Sequence, residues 1–417
     1  MSTRGEHLVH ADRGFATGGG ILARLTAPAF SKVLDQIDVR LVSGGIETIL
    51  PDGSRRSLGF HAKGPKAVVR LASWLALVRL ATSGSVGWYK AWTLGEWSSP
   101  DPVTVFELFS ANAVTLGDVG RAKGPFRWIN AAAHRLRDNA PGKAKQNIAA
   151  HYDLGNDFYS AWLDETMTYS SARFGSRRDR LETAQLRKIG SLLDRLDLKP
   201  GHRLLEIGCG WGTLAIEAAK RGAMVVGLTL SNEQKAWAER RIADAGMEDR
   251  IEIRLQDYRE MDEKFDAIAS VEMVEAVGRR WWGTYLDCIA RNLRGGGSAA
   301  LQFISIDGRL FERYARSADF IQTYIFPGGL LLDEQEFEAL ARERQLSWEK
   351  REGFRLDYAE TLRRWRDRYN EAVSNGALKG FEEPFHNLWR YYLMYCEGGF
   401  RGGAIDVAQV TMTRARG

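Results

Sequence analysis

Between residues 184 and 306 the chain alternates short apolar runs with segments of helical spacing, and that alternation limits the folds open to it more than any other feature. The apolar runs lie at 202–207, 224–228, 251–255, 265–270 and 298–306, and helical segments lie at 184–196, 212–221, 232–245 and 281–292. Strands and helices in this order and at this spacing predict an α/β fold with a mostly parallel sheet covered on both faces. Such a sheet binds ligands beyond the carboxyl ends of its strands. The candidate functional residues are therefore sought where each strand stops.

The sharpest local signal is RLLEIGCGWGTLAIEAAKRG at 203–222. An apolar strand runs into Glu206, and Gly208, Gly210 and Gly212 then occupy the turn before a helix. Glycines there allow unusual dihedrals and let a ligand lie against the backbone. The spacing is E-x-G-x-G-x-G, whereas a dinucleotide fingerprint would need glycine at Thr213, so a nicotinamide cofactor is disfavoured. After the second strand, VVGLTLSNEQ offers Thr229, Ser231, Glu233 and Gln234. Gln234 can donate to and accept from a ribose diol. Ser231 with Gln234 also reads as an ordinary helix cap, and the two roles are compatible. After the third strand, Gln256 and Asp257 stand where a side chain meets an adenine amino group.

The remainder divides by composition. Residues 1–150 carry 19 Lys and Arg against 11 Asp and Glu, a net of +8, which leaves −3 for the rest. A basic first third suits an anionic surface, lipid or nucleic acid. Strand-like runs fall within 30–58 around a P-D-G turn at 51–53, and 66–86 reads equally as helix or buried strand, ending before Trp88. Trp88, Trp92 and Trp97 suit either packing between domains or insertion at a lipid interface. A helix is expected at 104–112, and the boundaries are placed to give an N-terminal domain at 1–125, a connection at 126–150 and a main domain at 151–417. The first residues lack the apolar core of a signal peptide, and Arg70 and Arg79 interrupt the most apolar stretch, so any membrane contact is expected to be peripheral. Cys209, Cys288 and Cys396 are scattered, which suits a reducing compartment and offers no metal-ligand spacing.

Separated blocks carry a family resemblance. They are HYDLGNDFYSAWLDETMTYSSARF (151–174), AQLRKI (184–189), LLEIGCGWG (204–212), VVGLTLSNEQ (225–234), SVEMVEAVG (270–278), YIFPGG (324–329), DYAETLRRW (357–365) and YYLMYCEGGFRGGAIDVAQVTMTR (391–414). With these, residues 145–417 resemble the cyclopropane-fatty-acyl-phospholipid synthase family of S-adenosylmethionine-dependent methyltransferases. The resemblance implies a Rossmann-like methyltransferase sheet of seven strands with a smaller N-terminal domain. It implies transfer of a methyl group to the cis double bond of an unsaturated phospholipid acyl chain, closed to a cyclopropane by proton loss, or left as a methyl or methylene branch. It places the cofactor against Tyr152, Tyr169, Ser170, Gly208, Gly210, Thr229, Gln234, Gln256 and Asp257, beside Glu206 and Gly212 of the same turn. A cytoplasmic enzyme docking on the inner face of an anionic membrane follows, with a homodimer as one admissible assembly.

An alkene is a poor nucleophile, so its site must align it with the methyl group and exclude water. Phe158, Trp162, Leu163, Phe320, Ile325 and Phe326 are candidates to line an apolar pocket. In the family, bicarbonate acts as base, and the resemblance carries its binding set onto Glu275, Tyr358 and the backbone at Ile304. Two positions depart from the pattern: Ser171 stands for the family's Cys and Gln302 for its His. Both can donate hydrogen bonds to an anion, but neither is a ready proton acceptor. Methylation of a small N or O nucleophile would use the same cofactor fold without such a set. A nucleic-acid methyltransferase needs a stacking platform that no separate segment supplies, so nucleic acid is not expected as a partner. A non-enzymatic lipid-binding protein would not need the cofactor side.

Overall fold

The central strands are apolar along their whole length because both of their faces are covered, the pattern of a buried parallel sheet. The computed structural model describes residues 4–14, 27–117 and 154–416. These divide into two units. One comprises 138–308, 328–378 and 406–417, and the other 1–137, 309–327 and 379–405.

In the larger unit, strands β5 (Arg203–Ile207), β6 (Met224–Thr229), β7 (Ile251–Leu255), β8 (Phe265–Val271), β9 (Leu293–Ile306), β10 (Glu349–Gly353) and β11 (Ile405–Thr413) form one sheet. Its order is β10-β11-β9-β8-β5-β6-β7. The pairs of β5 with β6 and β8, β6 with β7, and β8 with β9 are parallel, and β10 runs antiparallel to β11. This is the mostly parallel seven-stranded α/β sheet expected. Helices Leu181–Asp194, Thr213–Lys220, Asn232–Asp244 and Trp282–Asn292 match the four helical segments read from the sequence. Leu192, Leu193, Leu214, Ala215 and Ala218 from the helices pack with Leu204, Val225, Ala267 and Ala300 from the strands. Each fully buried leucine there contributes about 1.5–3 kcal/mol by leaving water. Ser270 Oγ donates to Ile207 O at 2.8 Å, which ties the carboxyl ends of β8 and β5 together.

In the other unit, β1 (Gly45–Ile49), β2 (Arg55–Gly59), β3 (Lys66–Leu71) and β4 (Trp97–Ser98) form a sheet of order β2-β1-β3-β4. The P-D-G turn closes the β1–β2 hairpin, with Gly53 N–H donating to Leu50 O at 2.9 Å. Three local readings change. Residues 27–40 are helical. The ambiguous 66–86 run splits into β3, whose alternating burial leaves Arg70 exposed, and a helix Leu75–Thr93. That helix does not stop before Trp88; it bends at Gly84 (φ 58°, ψ −138°) and continues. Arg79 is tolerated in its apolar face because it is buried against Glu96, with Nε 2.9 Å from Oε2.

The tryptophans pack inside this unit, not between domains. Trp88 and Trp97 stack at 4.4 Å, and Trp97 Nε1 donates to Trp88 O at 2.9 Å. Both are buried, so neither is presented to a lipid interface. The unit also differs from the continuous 1–125 segment placed from composition, because 309–327 and 379–405 belong to it. Phe320 and Tyr391 pack on Tyr89 at 5.0 and 4.9 Å, and helix Glu383–Gly402 lies along helix Pro102–Ala111. No periodicity in the first third announces partners so distant in sequence.

The two helices approach closely at Gly398, where an added Cβ would lie 2.4 Å from Phe106 Cβ and 2.7 Å from Val103 O. Gly398→Ala should therefore lower stability by about 1–3 kcal/mol through overpacking. Gly399→Ala, which meets only the end of the Ile405 side chain at 3.1 Å, should be close to neutral. Denaturant melts of the two variants beside the parent protein measure the difference.

Candidate active site

Gly208, Gly210 and Gly212 all have positive φ, at 84°, 51° and 86°. Their surroundings separate their roles. A Cβ at Gly208 would meet Met273, one at Gly212 would meet Ala238, and one at Gly210 would meet nothing within 4 Å. The outer two glycines let the turn fold against its own protein, and the middle one keeps an open face for a ligand. Gly208 N–H and Cys209 N–H both donate to Leu228 O, at 3.1 and 2.9 Å, which locks the turn onto the end of β6. Glu206, at the end of β5, is buried, and its Oε2 has no hydrogen-bond partner in the protein. Burial pushes its carboxyl well above the usual range, opposed by the charge of Lys188 and a backbone hydrogen bond at Ala215. An open glycine face beside an unsatisfied buried carboxyl fits a polar cofactor.

The neighbouring strand ends supply the rest of this side. Thr229 Oγ1 donates to Gln234 Oε1 at 2.9 Å and accepts from Ser231 N–H at 3.1 Å. Ser231 caps its helix by accepting from Gln234 N–H at 3.2 Å. Gln256 N–H donates to Thr229 O at 3.1 Å, which brings the end of β7 to the end of β6. Asp257 is held by Arg259, whose Nε and Nη2 lie 2.9 and 2.6 Å from its two oxygens. Tyr169 packs among Tyr159, Trp162 and Trp365 at 5.4–5.6 Å. Ser170 Oγ accepts from Lys188 Nζ at 2.6 Å. Tyr152 lies outside the described residues. Phe158, Trp162, Leu163, Phe320 and Ile325 are fully buried side chains, the first three in the larger unit and the last two in the other.

At the end of β8 the structure gathers the remaining candidates around a residue that sequence reading passed over, Glu272. Its Oε1 accepts from Ser171 N–H at 2.9 Å and from Gln302 Nε2 at 2.7 Å, and its Oε2 accepts from Tyr358 OH at 2.7 Å. Gln302 is oriented by Gln409, whose Nε2 donates to Gln302 Oε1 at 3.1 Å. Ser171 takes part through its backbone, not its hydroxyl as expected, because its Oγ donates to Ala172 O at 3.0 Å. Glu275 stands apart from these donors; its Oε1 accepts from Ile304 N–H, and its Oε2 is cut off from solvent with no partner. Glu272 has φ 47°, in the left-handed region that glycine favours.

Charge separates the two glutamates. Burial raises the carboxyl of Glu272, while the hydrogen bond from Tyr358, the charge of Lys188 and the bonds from Ser171 and Gln302 hold it down. Burial and the charge of Glu272 push Glu275 up to about 8. The bonds and charge around Glu272 favour its ionised form, whereas Glu275 keeps its proton near neutral pH. Lys188 is fully buried, and burial pushes its ammonium down to about 8 against the opposing charges of Glu272, Asp164 and Glu206.

Both missed residues left a trace in the sequence. SVEMVEAVG holds two glutamates three apart, of which only the second was read. Lys188 shares a helical face with Ala184, Gln185, Ile189 and Leu192, all buried, which is core spacing for a lysine.

The family described as mycolic acid cyclopropane synthetase matches residues 140–410. The tuberculostearic acid methyltransferase of Mycobacterium tuberculosis is 38% identical over 412 residues, covering 95% of this chain and 93% of that protein. The cyclopropane-fatty-acyl-phospholipid synthase of Escherichia coli K12 is 33% identical over 365 residues, covering 87% of this chain and 91% of that protein. Among solved structures, mycolic acid cyclopropane synthase CmaA1 complexed with SAH and CTAB aligns with a TM-score of 0.61 and 32% identity, over 65% of this chain and 98% of that one.

The raised pKa of Glu275 has a consequence for stability. In the unfolded chain its carboxyl ionises near its ordinary value, whereas in the fold it keeps its proton up to about pH 8. Between those values the native state binds the extra proton, so its contribution is fully present in acid and is lost as pH rises through 8. Glu275→Gln should therefore gain stability relative to the parent as pH is raised from 5 to 8. Paired urea titrations across that range measure the widening gap; a constant offset would mean that Glu275 is ionised throughout.

Proposed function

Since this chain belongs to the mycolic acid cyclopropane synthetase family and is an S-adenosylmethionine-dependent methyltransferase, we propose that it methylates the cis double bond of an unsaturated acyl chain in a phospholipid. The observation that carries the reading is the pairing of two half-sites at the carboxyl ends of one sheet. One is a glycine turn with an open face at Gly210, and the other is a carboxylate pair at Glu272 and Glu275. Methylation of an oxygen or nitrogen nucleophile has no comparable need for a second, buried proton acceptor.

S-adenosylmethionine, when bound, supplies an electrophilic methyl group. Gly208, Gly210, Gly212 and Glu206 form its cradle on the β5 side, Thr229 and Gln234 on the β6 side, and Gln256 and Asp257 on the β7 side, with Tyr169 and Ser170 completing the set. Methyl transfer to an alkene leaves a carbocation, and the site must then receive a proton. Loss of that proton from the new methyl group closes a ring; loss from a neighbouring carbon leaves an alkene carrying a branch. Ring closure is the first reading, supported by the family and by the Escherichia coli relative. A branched product is the second. It is favoured because Ser171 and Gln302 replace the residues that the ring-forming resemblance implies, and because the relative matched over 95% of the chain is a tuberculostearic acid methyltransferase.

Bicarbonate does not fit as the acceptor. Ser171 N–H, Gln302 Nε2 and Tyr358 OH are committed to Glu272, and Ile304 N–H to Glu275.

The label from methyl-labelled S-adenosylmethionine is expected in the acyl chains of a monounsaturated phospholipid. Mass analysis before and after mild hydrogenation separates a ring, which resists, from a branched alkene, which takes up hydrogen. Label in no lipid fraction would sink the proposal.

The lipid substrate also implies a docking step on the inner face of the membrane. No helix of the described residues is long and apolar enough to cross a membrane. The net charge of +8 on residues 1–150 supports peripheral attraction to anionic lipid, at about 1 kcal/mol per well-placed basic residue. The intact chain should sediment with anionic vesicles at low salt, and much less with neutral vesicles or at high salt. Equal binding to both kinds of vesicle would place docking on apolar contacts instead.

A further inference from the structure

We propose that Glu272 is the base of this enzyme: its carboxylate, tethered to the end of β8, occupies the position that a diffusible anion would otherwise fill among Ser171 N–H, Gln302 Nε2 and Tyr358 OH. This rests on the methyl-transfer reading above.

Three observations carry it. The first is backbone conformation. At φ 47° Glu272 is one of six non-glycine residues among those described that hold a left-handed backbone, a conformation that costs an L residue energy and here aims the side chain at the three donors. The second is convergence. The three donors come from the 171 segment, from β9 and from the helix Arg355–Ser374, and all end on one carboxylate. Oε1 takes two of them and Oε2 takes one, which leaves Oε2 the oxygen with room for a proton. The third is that the residues behind the donors hold this arrangement in place. Gln302 is fixed as a donor by Gln409, which itself accepts from Ser191 Oγ at 2.9 Å, and Glu272 N–H donates to Gln302 O at 2.7 Å. The charged and titratable groups facing Glu272 are Lys188, Glu275 and Tyr358.

The step balances without an external oxidant or reductant. The alkene electron pair forms the new C–C bond as the S–CH3 bond breaks, and S-adenosylhomocysteine leaves. Glu272 Oε2 then takes a proton from a carbon at or next to the cation. The freed C–H pair becomes either the third ring bond or a C=C bond. The protonated carboxyl returns its proton to solvent before the next turnover.

A purely structural carboxylate would hold the same three donors, so the test must separate the two roles. Glu272→Gln keeps the shape and should lower lipid labelling by about 10²–10⁴-fold, the range for loss of a general base. Binding of S-adenosylmethionine, read by calorimetry, should be retained. Glu272→Gly removes the strain and vacates the anion position; it should be inactive in carbonate-free buffer and regain labelling as bicarbonate is added. Glu272→Gln should not respond to bicarbonate. The parent enzyme should be equally active with and without it, a measurement that needs no variant to fold. A parent enzyme that stops in carbonate-free buffer and recovers on adding bicarbonate would overturn the proposal, as would a Glu272→Gln variant that labels lipid at the parent rate. A parent enzyme that labels no lipid would instead overturn the methyl-transfer reading.

Discussion

Among the described residues, Lys188 is a buried positive charge that both halves of the site face. Its ammonium is bonded to Ser170 Oγ and opposed by Glu206 on the cofactor side and Glu272 on the base side, with Asp164 nearby. Carboxylates cannot be gathered in a low-dielectric site without a partner of this kind. A lysine fully removed from water cannot stay charged without them either. The dependence is therefore mutual, and it explains why a lysine holds a core position of the helix Leu181–Asp194 where the helical pattern calls for an apolar residue.

The sheet converts that balance into function by setting strand ends side by side. β5 lies between β6 and β8, so Glu206 and Glu272 issue from adjacent strands, while Thr229 and Gln302 issue from the strands outside them. The two carboxylates at the end of β8 then diverge in protonation. Glu272 is surrounded by donors, whereas Glu275 has one backbone donor and a buried oxygen with no hydrogen-bond partner. Environment thus favours the charged form at one and the neutral form at the other, although they stand three residues apart in the sequence.

Much of this was legible in the sequence. The parallel strands are buried on both faces and so read as apolar runs whose limits lie within a residue or two of the observed ones, apart from an earlier start to β9. The glycine turn was legible because glycine is the default residue at the positive φ it requires. The assembly of the other unit was not. Helix Glu383–Gly402 finds helix Pro102–Ala111 across hundreds of residues, and no local periodicity encodes that. Ser171, Gln302, Ile304 and Tyr358 were named from resemblance, but the carboxylates they serve are Glu272 and Glu275. Glu272 escaped because its significance lies in a positive φ and three converging donors, which are properties of the fold. Lys188 escaped because it sits at core spacing within a helix whose other charges are solvated.

A tethered base and a diffusible anion solve the same problem at different cost. The free anion must be recruited from solution at each turnover or held by several donors, and its occupancy follows its concentration. A carboxylate fixed to the chain is present at an effective concentration far above anything dissolved, of the kind that gives oriented intramolecular groups an advantage of several kcal/mol. Against that stands the left-handed conformation at Glu272, about 1–2 kcal/mol for an L residue, and the desolvation that Lys188 and the three donors offset. The comparison favours the tether wherever bicarbonate is scarce or variable. It also fixes the direction from which the proton is taken, because Glu272 approaches from the end of β8 and has one oxygen with room to receive it. Whether the product carries a ring or a branch then becomes a question about which hydrogen of the substrate cation that oxygen faces.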